Sequence, residues 1–262
     1  MTRLGFVPRA WRALRVVVHG LQGIATTLCV FPFVDGPRKR SLVRSWSARL
    51  LALLHIDPRT SGRVEAGEGN LLVVANHVSW LDIFVINAHH PARFVAKADL
   101  AHWPLLGTLI RGSDTIFIER ARRRDTRRVN EAVAHALRSG DVVVVFPEGT
   151  TSDGAGLLRF HSSLLQPIVD SSGTVQPVAL RYRDVTGARS MAPTYGDETF
   201  ATSFWRVCGE RRLVVDVGWM APIAATDSHR RTLARIAEDA IRTALDAGAA
   251  STAPGTGDDR GG

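Results

Sequence analysis

The segment LLVVANHVSWLD, residues 71–82, passes from an apolar run into Asn76, His77, Ser79, Trp80 and Asp82 within seven positions. A histidine with a carboxylate five residues on suits general-base chemistry. The carboxylate fixes the imidazole tautomer and orientation, and the other ring nitrogen takes a proton from an attacking hydroxyl. Five residues turn about 140° in an ideal helix, so the two meet more readily with His77 in a turn and Asp82 in the first turn of the next helix. The same letters carry a structural reading. Ser79 to Asp82, S-W-L-D, is a variant capping box with Ser at the N-cap and an acid at N3, and His77 is then a polar turn residue. Both readings stand at this point.

Three further stretches could join that site. GSDTIFIER, residues 112–120, is a strand pattern ending in Glu119 and Arg120 and running into Arg122, Arg123, Arg124, Arg127 and Arg128. The later arginines suit a solvated helix face, whereas Arg120 at the strand end could bind a phosphate bidentately. VVVVFPEGTTSDG, residues 142–154, is a buried-strand pattern followed by Pro147, Glu148, Gly149 and a hydroxyl-rich turn from Thr150. A buried carboxylate needs partners, so Glu148 is expected to hold a polar substrate or to pair with Arg120. VQPVAL, residues 175–180, places Pro177 inside a strand pattern; proline belongs at an edge, a bulge or a strand start, and a groove wall is the expectation.

The elements that must position these residues alternate from about residue 70. Strand patterns fall at 71–75, 93–96, 115–118, 141–146, 174–180 and 212–219, and amphipathic helices at 124–139 and 227–247. The alternation predicts a single α/β domain with a largely parallel central sheet flanked by helices. In open sheets of this kind ligands bind beyond the carboxyl ends of the strands. His77, Arg120 and Glu148 each follow a strand by a few residues and could share one edge.

The first 56 residues read differently. Residues 16–34 are free of formal charge and near the length of a membrane span, but Gly20, Gly23 and Pro32 interrupt them and arginines flank both sides, which favours a helix that enters or lies in one leaflet. Residues 41–56 place Leu42, Trp46, Leu50, Leu53 and Leu54 on one stripe, a basic amphipathic helix suited to an anionic lipid interface. The tail from Gly248 is small, polar and rich in breakers, and disorder is expected over 248–262. The division is then 1–56 membrane-anchoring helices, 57–247 catalytic domain and 248–262 tail.

A chain of 262 residues with 45% hydrophobic content can bury one large core. The net charge of +8 points to anionic partners. The absence of basic strands interleaved with aromatics argues against single-stranded nucleic acid. Cys29 and Cys208 have no metal-ligand spacing, and no metal site is expected. There is no G-x-S-x-G elbow, so a direct transfer without a covalent enzyme intermediate is expected of a hydroxyl activated by His77.

The four stretches in this order resemble the glycerolipid acyltransferase family, in particular the PlsC-type 1-acylglycerol-3-phosphate acyltransferases. The family pattern is N-H-x-x-x-x-D, then a strand ending in Arg, then F-P-E-G-T, then a strand holding a proline. Here these are Asn76 to Asp82, the segment ending at Arg120, Phe146 to Thr150, and Val175 to Leu180. The resemblance implies that His77 is the catalytic base and Asp82 its partner. It places Arg120, Glu148, Gly149 and Thr150 with the acceptor's glycerophosphate and Pro177 with the acyl-donor groove. It also implies acyl transfer from acyl-CoA or acyl carrier protein to lysophosphatidic acid, with no cofactor beyond that donor, membrane lipids and the lysophospholipid as partners, no nucleic acid, and a peripheral or monotopic place at the cytoplasmic face of the inner membrane. A departure follows Gly154: family members often carry L-L-P-F and a K/R-S-G turn, whereas this chain has LLRFHSSLL with Arg159, His161 and Ser163. A family acyltransferase for another acceptor, lyso-ornithine lipid, and a non-catalytic basic peripheral membrane protein are the alternatives.

Overall fold

The computed structural model describes residues 3–65, 70–102, 106–118, 123–194 and 198–250. Two helices, α1 (Phe6–Cys29) and α2 (Gly36–Leu53), precede a sheet of β1 (Ile56–Ser61), β2 (Leu71–Ala75), β3 (Arg93–Lys97), β4 (Ile116–Ile118), β5 (Val142–Val145), β6 (Thr174–Arg183), β7 (Leu213–Trp219) and β8 (Ile223–Ala224). Between and after the strands run α3 (Asp82–His89), α4 (Leu106–Gly112), α5 (Arg123–Arg138), α6 (Gln166–Asp170), α7 (Phe200–Gly209) and α8 (Arg230–Ala250).

The strand order is β1-β7-β6-β2-β5-β3-β4, with β8 pairing β6. From β6 to β4 the strands are parallel, and β7 and β1 run the other way. The central strand β2, LLVVA, is buried along its whole length. A parallel strand covered on both faces has no solvent side on which to place polar residues, hence the unbroken apolar run.

Successive strand residues alternate between two cores, as the pleat requires. On one face Leu71, Val73 and Ala75 of β2 meet Val144, Leu180 and Tyr182 together with Leu50, Leu51, Leu54, Val85 and Ile86 from α2 and α3. On the other, Leu72 and Val74 meet Val143, Val145 and Val175 with Val129, Val133, Leu233 and Ile241 of α5 and α8. The molecule is therefore a three-layer α/β/α arrangement in which α1 to α3 and α7 share a side.

α2 is built into the first core: Leu50, Leu51 and Leu54 are at most 3% exposed. Of the stripe read as lipid-facing, Leu50 and Leu54 are thus buried and Trp46 and Leu53 pack against the same core, and the apolar face left outside belongs to α1. The anchor expected for 1–56 shares its core with the sheet. Gly23 of α1 permits this packing, since a Cβ there would lie 2.6 Å from Trp46 Nε1 and 2.9 Å from Leu109 Cδ2.

Five elements escaped the sequence reading: the short α4, α6 and β8, and the longer β1 and α7. β1 holds Asp57, Pro58 and Arg59 and exposes its second half, so it has no apolar alternation; pairing with β7 creates it. α7 carries Thr199 as N-cap, whose side chain accepts from Thr202 N–H. The final helix extends to Ala250, three residues past the expected end, and residues 251–262 lie outside the described residues.

Candidate active site

β2 and β5 are adjacent and parallel, with Val74 beside Val145. Their carboxyl ends therefore deliver His77 and Glu148 to one edge. The turn after β2 is fixed on both sides. Asn76 is buried and exchanges two hydrogen bonds with the backbone of Leu180, donating to its carbonyl at 3.0 Å and accepting its N–H at 2.7 Å. In effect a side chain extends the β2–β6 ladder past the strand end. On the other side Glu148 Oε1 accepts the His77 N–H at 2.6 Å, and the His77 carbonyl accepts Ser152 N–H at 2.7 Å.

His77 Nδ1 lies 2.8 Å from Asp82 Oδ2, and the imidazole stacks on Phe146 at 4.1 Å between centroids. The same Oδ2 accepts the N–H groups of Val78 at 2.8 Å and Ser79 at 2.9 Å, while Ser79 Oγ accepts Leu81 N–H at 3.1 Å. One oxygen thus holds His77 and closes the turn onto the Ser79 N–H. The capping box expected of Ser79 and Asp82 is realised only in that half, because the N-cap of α3 is Leu81, without a side-chain cap, and Ser79 Oγ takes the Leu81 N–H. Helix α3 begins at Asp82 itself, and Asp82 N–H bonds back to the Ser79 carbonyl in the turn leading into it. Asp82 Oδ1 accepts the hydroxyl of Tyr182 at 2.7 Å. Burial, and then the adjacent Asp82 charge, hold the Tyr182 phenol well above its ordinary pKa, so it stays a neutral donor.

The free edge of His77 opens on an apolar cavity of about 170 Å³. Gly23 and Trp46 of α1 and α2, Phe84 of α3, Leu109 of α4, and Trp80 and Phe200 are among its walls. Trp80 Nε1 donates to Ser203 Oγ of α7 at 3.2 Å, which ties this wall to that helix. Among the described residues no hydrogen bond to His77 Nε2 is formed. The arrangement offers an oriented imidazole with one nitrogen free at the mouth of a space suited to hydrocarbon.

This geometry agrees with what the chain resembles. The Acyltransferase family model matches residues 55–181. A 1-acyl-sn-glycerol-3-phosphate acyltransferase of Neisseria gonorrhoeae is 39% identical over 216 residues, 81% of this chain and 85% of that protein. A lyso-ornithine lipid O-acyltransferase of Pseudomonas aeruginosa is 37% identical over 256 residues, 96% of this chain and 98% of that protein. The chain belongs to the PlsC-type lysophospholipid acyltransferase family. Its fold matches the crystal structure of the acyltransferase PlsC from Thermotoga maritima, with a TM-score of 0.68 at 21% identity, over 91% of this chain and 97% of that one.

The acyltransferase places its other sequence-marked residues unequally. Glu148 is 4% exposed and binds backbone with both oxygens, Oε1 as above and Oε2 accepting Leu158 N–H at 2.9 Å. Burial raises its pKa against the opposing effect of those bonds. In this acyltransferase the carboxylate ties two loops together, and its placement is that of a support under His77. Gly149 takes φ +75°, a conformation that favours glycine, and its N–H is held by the Phe146 carbonyl at 3.0 Å. Thr150 is exposed, and its neighbour Thr151 lines the cavity. Arg120, and with it any pairing to Glu148, lies outside the described residues.

Pro177 sits in the interior of β6 opposite Val74 and is not among the residues that line the cavity beside His77. Its carbonyl accepts Met220 N–H at 3.0 Å, and the N–H it lacks would face the same side. That side is the gap between the β7 pairing, which starts at Val178, and the β8 pairing, which ends at Val175. A central strand tolerates proline there because the ladder is already broken. Asn76 and Phe146 entered the sequence reading only as letters of the two motifs, and Ser152 and Tyr182 were not singled out. For Tyr182 a signal existed: Val178, Leu180 and Tyr182 form a period-two row on the His77 side of β6.

Proposed function

We propose that this acyltransferase moves a fatty acyl group from an acyl thioester, acyl-CoA or acyl carrier protein, to the free hydroxyl of 1-acylglycerol-3-phosphate, producing phosphatidic acid. The observation that carries the reading is His77, held by Asp82 through Nδ1 with its other nitrogen facing an apolar cavity. Nε2 takes the proton of the acceptor hydroxyl as its oxygen attacks the thioester carbonyl. The tetrahedral intermediate collapses with loss of the thiolate, and His77 returns the proton to it. Asp82 stabilises the imidazolium between these steps. The cavity takes the acyl chain, and Arg120 is assigned to the acceptor phosphate on its place in the motif.

The enzyme is read as membrane-associated through α1, since Phe6–Phe33, which contains it, is long and apolar enough to cross a bilayer and holds an 18-residue stretch of mean hydropathy 1.6 that is only 22% buried. A monotopic placement at the cytoplasmic face is proposed.

A second reading has a specific support. The lyso-ornithine lipid O-acyltransferase of Pseudomonas aeruginosa aligns over nearly the whole of both chains. Its named acceptor lacks the phosphate assigned to Arg120. Thiol release with purified protein, both acceptors and both donor types therefore decides between the two. For a phosphate acceptor, Arg120→Lys keeps charge but loses the two-pronged contact, and kcat/KM for lysophosphatidic acid should fall roughly ten- to a hundredfold. Turnover of lyso-ornithine lipid that exceeds turnover of lysophosphatidic acid and is indifferent to Arg120→Lys would replace the first reading with the second.

A further inference from the structure

Asp82 has two oxygens, and only Oδ2 faces His77. That oxygen accepts the imidazole and two backbone N–H groups, and Oδ1 accepts Tyr182. An ionised carboxylate offers about four acceptor sites, so the donors present match its capacity. The side chain is fully buried, and its rotation would break several of these bonds together.

We infer that Tyr182 is a positioning residue of the acyl-transfer site, whose hydroxyl sets the orientation and basicity of Asp82 and through it the proton affinity of His77. This rests on the reading of His77 as general base. Three observations support it. β6 continues past Val178, its last partner on β2, and carries Tyr182 beneath the turn that holds His77. The alternation of Val178, Leu180 and Tyr182 points the phenol into the core shared with α3, where phenylalanine would supply the same apolar surface without a hydroxyl to satisfy. The phenol resists ionisation because of its burial and the neighbouring carboxylate, so it donates throughout the working pH range of a histidine base.

The direction of its influence follows from charge. A hydrogen bond to Oδ1 draws negative charge away from Oδ2. Without it Oδ2 attracts the imidazolium more strongly, and His77 keeps its proton to higher pH. Oδ1, left in a dry site without a donor, also has reason to turn, which disturbs the imidazole.

The test is the kinetics of full-length Tyr182→Phe in mixed micelles. A fall in kcat of roughly ten- to a hundredfold is expected for one charged hydrogen bond, with both KM values little changed and the acid limb of kcat/KM moved to higher pH. A residue needed for packing only lowers the melting temperature and leaves the limb in place. The chain has two tyrosines, Tyr182 and Tyr195, so 3-fluorotyrosine incorporated in a Tyr195→Phe background labels Tyr182 alone. The fluorophenol is the stronger donor and should move the limb to lower pH; this also serves where the Phe variant does not fold. Opposite movements support the inference, and a limb unmoved by fluorotyrosine overturns it. Full turnover in His77→Ala overturns the general-base reading itself, whereas an inactive His77→Ala beside an unaltered Tyr182→Phe overturns this inference alone.

Discussion

The carboxyl end of β2 and the outer face of α1 are built on opposite terms. Around His77, partners far apart in sequence converge: Asp82 gathers four donors, Asn76 exchanges two bonds with Leu180, and Glu148 joins two loops. On α1, Val7, Trp11, Leu14, Val18 and Leu21 stand out from the protein, with Val7 76% and Trp11 62% exposed. The first region spends many interactions on fixing a few atoms. The second leaves apolar area uncovered along one helix. Proton transfer needs the former, because an ångström of displacement is costly to rate. Collecting a lipid from a bilayer needs the latter, because attraction to lipid scales with apolar area and tolerates loose geometry. The cavity lies where the two meet, with α1 and α2 on one side and His77 on the other.

The largest expected effect breaks the first region only. His77→Ala should lower turnover by about 10² to 10⁴-fold, the usual contribution of a general base, while vesicle binding stays as in the parent. Asp82→Asn separates the turn contacts from the charge. Val78 and Ser79 N–H groups hold an acceptor at the Oδ2 position, so the asparagine carbonyl should remain there and keep the imidazole tautomer. The rate loss should then come from the missing charge and stay below the ~10⁴ seen where the tautomer is lost. Steady-state kinetics beside thermal melts would read both. A variant that loses stability but keeps its rate leaves Asp82 a tie within the turn and nothing more.

The next effect breaks the second region only. Val7, Trp11 and Val18 are exposed, and all three changed to serine should leave the fold intact. Full burial of such side chains stabilises by about 1.5 to 3 kcal/mol each, so even partial insertion of three predicts a loss of vesicle partitioning on the order of a hundredfold. Turnover of substrates dispersed in detergent should change little. Equal loss in both assays would mean that α1 serves the chemistry directly, and the contrast between the regions would fail.

The two regions also differed in how far the sequence revealed them. His77 and Asp82 were legible because they lie five residues apart, and a local turn has few ways to join them. The parallel strands were legible because burial on both faces leaves a continuous apolar run, as in β2 and β5. Tyr182 and Asn76 act across about a hundred residues of chain, a pairing set by strand register, which one sequence does not display. The stripe on α2 was visible, but a stripe does not say whether protein or lipid covers it. Leu50 and Leu54 went to the core, with Trp46 and Leu53 packed against it. Glu148 was marked correctly as a carboxylate in need of partners. Among the described residues its partners are the backbone N–H groups of His77 and Leu158, and backbone donors carry no signature in the letters.

Glu148 also supplies the smallest effect and a property that α1 should lack. Its pKa is raised chiefly by burial, so the folded protein binds that proton more tightly than the unfolded chain does. The stability this contributes is full below the ordinary glutamate value of about 4.3 and is lost as pH rises through the raised value. Glu148→Gln cannot titrate and should flatten the pH dependence of the melting temperature over that window. Its carbonyl oxygen can accept from only one end of the pair, and the amide NH₂ then faces the N–H of His77 or Leu158. One backbone donor left unpaired costs about 1 to 3 kcal/mol, partly offset at neutral pH because the buried charge is gone. A small net loss of stability is expected, with a several-fold loss of kcat if the donor left free is that of His77. The triple serine variant of α1 changes no titrating group and should keep the parent's pH slope. Melts of the three proteins between about pH 4 and 8 compare the regions directly. A slope that survives in Glu148→Gln would assign the pH response to another group and leave Glu148 a neutral strut between its two loops.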